Sequence, residues 1–201
     1  MMQRFLIVVW CAVASCLPQA ALAEREDGLY GAVVPKGAAF VRVLGASSES
    51  LTILGRKVPT TELPEDVYVA FAPGVLPEAK DGAHYTVFEA AGQVLSVVEE
   101  PARDKPGKVY LSMVNLGSEL PAALSVADGG PEVLGDVAVG AAATRAVNPL
   151  SVTLGVSYGS DATTFYVVLR RGQNLSFVVL PDGSVEMIKD TYGPVFAEAG
   201  Q

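Results

Sequence analysis

Gly155-Val156-Ser157-Tyr158-Gly159 is the stretch whose spacing best matches a catalytic motif. It fits the G-x-S-x-G nucleophile elbow, in which a sharp strand-to-helix turn exposes the serine and a histidine base follows later in the chain. The single histidine, His84, precedes the serine, and the flanks of Ser157 read as strand on both sides. The order serine, acid, histidine is therefore impossible, and Ser157 reads as the end of a strand at a Gly-Ser turn. His84 reads as a partly exposed residue at a strand end beside Tyr85. Both cysteines, Cys11 and Cys16, fall in the leader described below, so the mature chain offers no thiolate. With one histidine left, a zinc-type site lacks donors. A calcium site needs only oxygen ligands, but no D-x-D-x-D-G loop is present. Glu99 and Glu100 are adjacent on a strand end, so they point to opposite faces and cannot pair as acid and base. No glycine-rich loop is followed by Lys-Ser/Thr to cradle a phosphate. The sequence thus predicts no catalytic, cofactor or metal site.

Arg103, Lys105 and Lys108 form a basic cluster. One reading makes them contacts for an acidic partner or an anionic polymer. The other makes them a solvated hinge, pairing with Glu99, Glu100 and Asp104, which is the commoner fate of exposed charge runs.

The elements that position these residues are strands. Phe40-Val41-Arg42-Val43-Leu44 alternates around a central arginine, which favours Val41 and Val43 inward on a half-buried strand. Leu51 to Leu54, Asp66 to Phe71, Tyr85 to Phe88 and Val94 to Val98 continue the pattern, the last two as a hairpin. Residues 99–108 are charged, contain Pro101, Pro106 and Gly107, and have no apolar run, which marks a boundary. Strand patterns resume at Val109 to Val114, Leu124 to Val126, Val133 to Val139, Leu150 to Tyr158 and Thr164 to Leu169. Leu175 to Leu180 and Ser184 to Ile188 pair across Pro181-Asp182-Gly183. Ala141 to Ala143 reads as loop or edge, and residues 191–201 as a tail. No stretch combines helical periodicity, a cap and sufficient length. The halves match in rhythm, Phe40 with Val109 and Tyr85 with Phe177, with an added hairpin near Leu150 to Leu169. The expected fold is all-β, two tandem β-sandwich domains after a cleaved signal peptide: residues 1–23 as signal, 24–100 as the N-terminal sandwich, 101–108 as linker and 109–201 as the C-terminal sandwich.

The leader has Arg4, an apolar run from Phe5 to Ala14, a breaking Pro18 and Ala21-Leu22-Ala23, which places cleavage between Ala23 and Glu24. The apolar run is shorter than the ~20 residues a span requires. Val13-Ala14-Ser15-Cys16 supports a rival reading, a lipoprotein anchored at Cys16. The chain has 14 basic residues, of which Arg4 leaves with the leader, against 22 acidic ones, so nucleic-acid binding is disfavoured. The lone tryptophan, Trp10, also leaves. Tyr30, Tyr68, Tyr110 and Tyr158 could then serve as sugar platforms only where exposed.

The leader followed by LYG-x-x-x-PKG-x-x-FVRV (Leu29 to Val43), then VEEP-x-R-x-K (Val98 to Lys105), Val114-Asn115-Leu116 and Asn148 to Val152 resembles the AlgF family. The resemblance implies a periplasmic protein of two β-sandwiches, required for O-acetylation of the exopolysaccharide alginate. It implies an accessory component without its own catalytic triad, whose partners are periplasmic O-acetyltransferases and a membrane-bound O-acyltransferase, with alginate itself a further candidate. The expected role is that of an adaptor that binds the acetyltransferases and relays acetyl groups. The alternative is a carbohydrate-binding sandwich, and a third reading makes Ser157 an acetyl-transfer nucleophile. Candidate partner contacts are Tyr30, Lys36, Arg103 and Lys105. Tyr30 and Lys36 qualify because residues 29–37 have no counterpart in the second half.

Overall fold

Alternation along each central strand builds two sandwiches. The computed structural model describes residues 33–196 except 91, 92, 106 and 118. The expected cleavage site Ala23–Glu24, the lipid-anchor candidate Cys16 and the contact candidate Tyr30 lie outside these residues. The first half contains β1 (Ala39–Leu44), β2 (Ser50–Ile53), β3 (Arg56–Pro59), a 3-10 turn (Thr60–Glu62), β4 (Val67–Phe71), β5 (His84–Ala90) and β6 (Gln93–Glu100). The second contains β7 (Val109–Asn115), β8 (Ala122–Val126), β9 (Glu132–Val137), β10 (Ala141–Val147), β11 (Ser151–Tyr158), β12 (Asp161–Val168), β13 (Asn174–Val179) and β14 (Val185–Lys189). A last strand, β15 (Thr191–Phe196), follows. No α-helix occurs among the described residues.

A five-stranded sheet, β15-β4-β1-β5-β6, packs on the β2–β3 hairpin. A four-stranded sheet, β10-β7-β13-β14, packs on another, β12-β11-β8-β9. The expected all-β, two-sandwich fold is what forms. The repeat is visible in the pairing itself. β1 is parallel to β5 and antiparallel to β4, while β7 is parallel to β13 and antiparallel to β10. The β11–β12 hairpin is the addition in the second half.

Odd-numbered residues of β1 and β7 face their own sandwich cores. Val41 and Val43 join Ile53, Val69, Phe71 and Val87, while Leu111 and Met113 join Leu124, Leu154, Val156 and Phe177. Even-numbered residues face the other sandwich. There Leu44 and Val98 meet Val114, Val178 and Ile188 in a third apolar cluster. This corrects the half-buried reading of β1, because its second face, with Arg42, is covered by another sheet. Val41 and Val43 do point inward as the alternation required. Strand β1 ends at Gly45, whose φ of +71° favours glycine and where a Cβ would lie 2.7 Å from the Glu89 carbonyl oxygen.

Residues 191–201 were expected as a tail. Instead β15 crosses back and pairs in parallel with β4 at the edge of the first sheet, where Phe196 stacks on Phe71 at 4.9 Å. The reading failed because Gly193-Pro194 looks like punctuation. Here the pair sits at a register shift on an edge strand, where a proline is tolerated. A chain ending at Asp190 is expected to lose at least about 2 kcal/mol in urea unfolding, from uncovering Phe71 and the β4 edge. An unchanged midpoint would mean that β15 adds no stability.

Candidate functional site

Where the two sandwiches meet face to face, Arg42 is fully buried. Its Nη1 donates to Asp190 Oδ1 at 2.9 Å and its Nη2 to Thr86 Oγ1 at 2.9 Å, with Glu100 Oε1 3.5 Å from Nη2. Arg103 enters from the connecting segment. Its Nη2 donates to Glu100 Oε2 at 2.8 Å, and its Nη1 lies 2.9 Å from Asp190 Oδ2 as an ion-pair contact. Two guanidiniums thus sit between two carboxylates, a neutral set whose charges are matched inside a buried interface. Hydroxyls complete it. Tyr68 and Thr86 donate to Glu100 Oε1 at 2.5 and 2.7 Å, and Ser176 donates to Asp190 Oδ1 at 2.7 Å.

The repeat explains the placement. His84 pairs with Phe40 and with Glu100 across the first sheet. Asn174 pairs with Tyr110, and its carbonyl accepts from the Asp190 N–H. Glu100 and Asp190 therefore hold matching places, as do Thr86 and Ser176, each a hydroxyl serving the neighbouring acid. Arg42 matches Ser112, so one half supplies the charge.

Burial works to raise the Glu100 carboxyl, but Arg42, Arg103 and the bonds from Tyr68 and Thr86 outweigh it, and the net direction is down. At Asp190 burial prevails and the direction is up. Burial pushes the Tyr68 and Tyr192 hydroxyls up, so both remain protonated. Burial opposes charge on Arg103, yet Tyr68, Asp190 and Glu100 hold its net direction up.

His84 is buried rather than partly exposed, which corrects the expectation. Its ring stacks on Phe40 at 4.6 Å, and Nε2 lies 3.1 Å from the Tyr192 hydroxyl, on the strand that crosses back. Burial, then Arg103, pushes its pKa down to about 4. Ser157 lies far along the other sandwich on β11, and its hydroxyl donates to the Ala123 carbonyl at 3.5 Å. The structure does not bring Ser157 and His84 together. Glu99 and Glu100 do face opposite ways. Glu99 pairs with Lys80 at the surface and Glu100 is buried.

Beside the ion cluster opens a cleft of about 390 Å3, walled by Phe40, His84, Tyr110 and Tyr192 and rimmed by Arg103 and Lys105. A larger depression of about 510 Å3, over Asp66, Glu186 and Lys189, gathers none of the buried polar groups. Of the sequence-predicted contacts, Lys36 and Lys105 are exposed, whereas the Arg103 side chain is almost wholly enclosed by its carboxylates. Tyr68 and Tyr110 are buried and cannot be platforms. Sequence reasoning missed Arg42, Asp190, Tyr68 and Tyr192 as a group. A signal was available, since FVRV and VEEP-x-R, two segments that carry the family resemblance, hold Arg42, Glu100 and Arg103.

Arg42→Met is expected to cost about 3–5 kcal/mol in urea unfolding, because it leaves Arg103 as the one cation for two buried carboxylates. Adding Glu100→Gln and Asp190→Asn should recover part of that loss. If Arg42→Met costs no more than a surface change, the cluster does not hold the junction. For His84 the folded pKa is depressed below the ordinary value near 6.5. Between pH 6.5 and 4 the unfolded chain binds a proton that the folded chain refuses, so stability falls as pH drops through that window. The loss from this group between pH 7 and pH 5 is about 2 kcal/mol. His84→Asn, the residue at the matching place in the second sheet, should abolish that slope. Equal slopes in both proteins would exclude His84 as its source.

No family model matches the chain. The alginate biosynthesis protein AlgF of Pseudomonas syringae pv. tomato is 30% identical over 191 residues, covering 87% of this chain and 86% of that protein. AlgF of Pseudomonas aeruginosa is 31% identical over 189 residues, 86% of this chain and 87% of that protein. AlgF of Azotobacter vinelandii is 31% identical over 154 residues, 68% and 69% respectively. Among solved structures, the C-terminal domain of AlgF from P. aeruginosa aligns at 27% identity and a TM-score of 0.37, over 41% of this chain and 98% of that one. The N-terminal domain aligns at 21% identity and a TM-score of 0.32, over 43% and 98%. At this identity and coverage, the chain belongs to the AlgF family of alginate biosynthesis proteins.

Proposed function

We propose that this protein serves alginate biosynthesis as a periplasmic adaptor in O-acetylation of the polymer. It binds the periplasmic O-acetyltransferases and the membrane-bound O-acyltransferase and assists hand-over of acetyl groups, without a catalytic triad of its own. One observation carries the reading. The side chains best suited to chemistry, His84, Glu100, Arg103, Asp190 and the two tyrosines, are bonded to one another at the junction, which Arg42 and Asp190 bridge. Groups engaged in this way rigidify two sandwiches into one platform, which suits a protein that holds others in place. Ser157 has a backbone carbonyl as its partner, and its strand continues the sheet on both sides.

Deleting this protein from an alginate producer is expected to leave the polymer without O-acetyl groups. The wild type, Ser157→Ala and His84→Asn should each restore them to the same level, and immobilised protein should retain the periplasmic O-acetyltransferase. A folded Ser157→Ala protein that fails to restore acetylation would overturn the adaptor reading in favour of catalysis.

One observation favours a carbohydrate-binding module as the second reading. Tyr166 is 70% exposed on the outer face of the β11 sheet, beside Val168 and across the ladder from Thr153. Titration with mannuronate oligomers separates the two. Saturable binding by the wild type that is lost in Tyr166→Ala supports the sugar site.

A further inference from the structure

We propose that the basic rim of the junction cleft, formed by Lys105 and Lys108 on its lining and flanked by Arg170 and Arg171 on the adjoining turn, seats an acidic segment of a protein partner that also carries an apolar side chain. This deepens the adaptor reading and rests on it.

The rim is a product of topology. Strands β7 and β13 are parallel neighbours, so the chain enters both at the same end of the sheet. Lys105, Gly107 and Lys108 therefore lie beside the turn 170–173. The Tyr110 N–H, at the start of β7, points to the Gln173 carbonyl at 3.3 Å, and a Cβ on Gly107 would stand 3.8 Å from the Arg171 side chain. Cations some 65 positions apart in the sequence are thereby gathered in one place.

Their charge is not cancelled locally. Lys105, Lys108, Arg170 and Arg171 are all exposed, and none of them forms an ion pair among the described residues. Lys108 Nζ donates to Asn148 Oδ1 at 2.7 Å, which leaves its charge uncompensated. Asp104 is the nearby acid in sequence, and it accepts from the Tyr110 hydroxyl at 3.4 Å. Glu100 and Asp190, deeper in, are matched by Arg42 and Arg103. In a chain with 22 acidic residues against 14 basic ones, such a patch attracts anions where the rest of the surface repels them.

The cleft within the rim, about 390 Å3, is large enough to admit an apolar side chain, with Phe40, Tyr110 and Tyr192 as apolar walls. Its rings are engaged with one another. Phe40 is stacked by His84, Tyr192 meets Phe40 edge-on at 5.3 Å, and Tyr192 stacks on Tyr68 at 5.6 Å. Sugar platforms present free, flat rings, whereas an acidic peptide needs cations for its carboxylates and a hollow for one apolar side chain. The arrangement favours the peptide.

The test uses the full mature chain and a capped Asp-Glu-Phe-Asp-Glu peptide in calorimetric titration. Saturable binding is expected, weakened at least about tenfold by Lys105→Glu with Arg171→Glu, and weakened likewise when salt rises from about 50 mM to about 500 mM. Both substituted side chains are exposed, so an unchanged melting temperature should confirm folding. Absence of saturable binding by the wild type, binding indifferent to charge reversal, or tighter binding of a mannuronate oligomer of equal charge would each overturn the proposal. Retention of the periplasmic O-acetyltransferase is scored separately. If the wild type takes the peptide and fails to retain the enzyme, the adaptor reading falls and the rim stands. If wild type and double variant retain the enzyme equally, the rim is not its docking site.

Discussion

The buried guanidinium of Arg42 is the constraint on which the rest of the structure depends. An arginine taken out of water is tolerated only where carboxylates and hydroxyls meet it with good geometry. Asp190, Thr86 and Glu100 supply those partners: Thr86 and Glu100 from β5 and β6 of one sheet, and Asp190 from the connection between β14 and β15. The two sandwiches can therefore dock in few ways. Apolar contact among Leu44, Val98, Val114, Val178 and Ile188 supplies area without direction. The ion cluster supplies direction, because a shift between the sheets would break the buried Arg42–Asp190 pair.

The internal repeat shows how such a junction is assembled from duplicated parts. Each half places an acid in the same register position and a hydroxyl beside it. A symmetric pair of acids facing one another would repel. The halves differ at Arg42 and Ser112, which puts one cation between the acids, and Arg103 from the connecting segment balances the second. Strand β15 then returns to the first sheet and carries Tyr192 over His84 and Arg103. The last strand thus covers the cluster as it completes the sheet edge.

Arg103 and Lys105 are two residues apart in the chain, yet the Arg103 side chain is enclosed at the junction and Lys105 is exposed. Residues that read as a single basic run are divided by the fold into an enclosed structural charge and an exposed one.

Most strand positions, the existence of a repeat and the added hairpin were legible in the sequence, because alternation with a period of two follows directly from strand geometry. So was the inward orientation of Val41 and Val43. The register of the repeat was not, since Phe40 matches Tyr110 rather than Val109 and Tyr85 matches Leu175 rather than Phe177, and β3 and β10 were not read as strands. The second face of β1 was not legible, since alternation identifies a buried face but cannot report that the opposite face is buried too. Arg42 looked like a solvent-side residue for that reason, and His84 like an exposed strand end. The return of β15 was hidden because edge pairing leaves little mark in composition and Gly193-Pro194 resembles a terminus. The ion cluster joins positions 42, 100, 103 and 190, and the basic rim joins 105 and 108 with 170 and 171. Neither set has a local spacing to recognise. Local physics determined the strands; the parallel pairing of β7 with β13 and the face-to-face docking of two sheets decided which charges would meet.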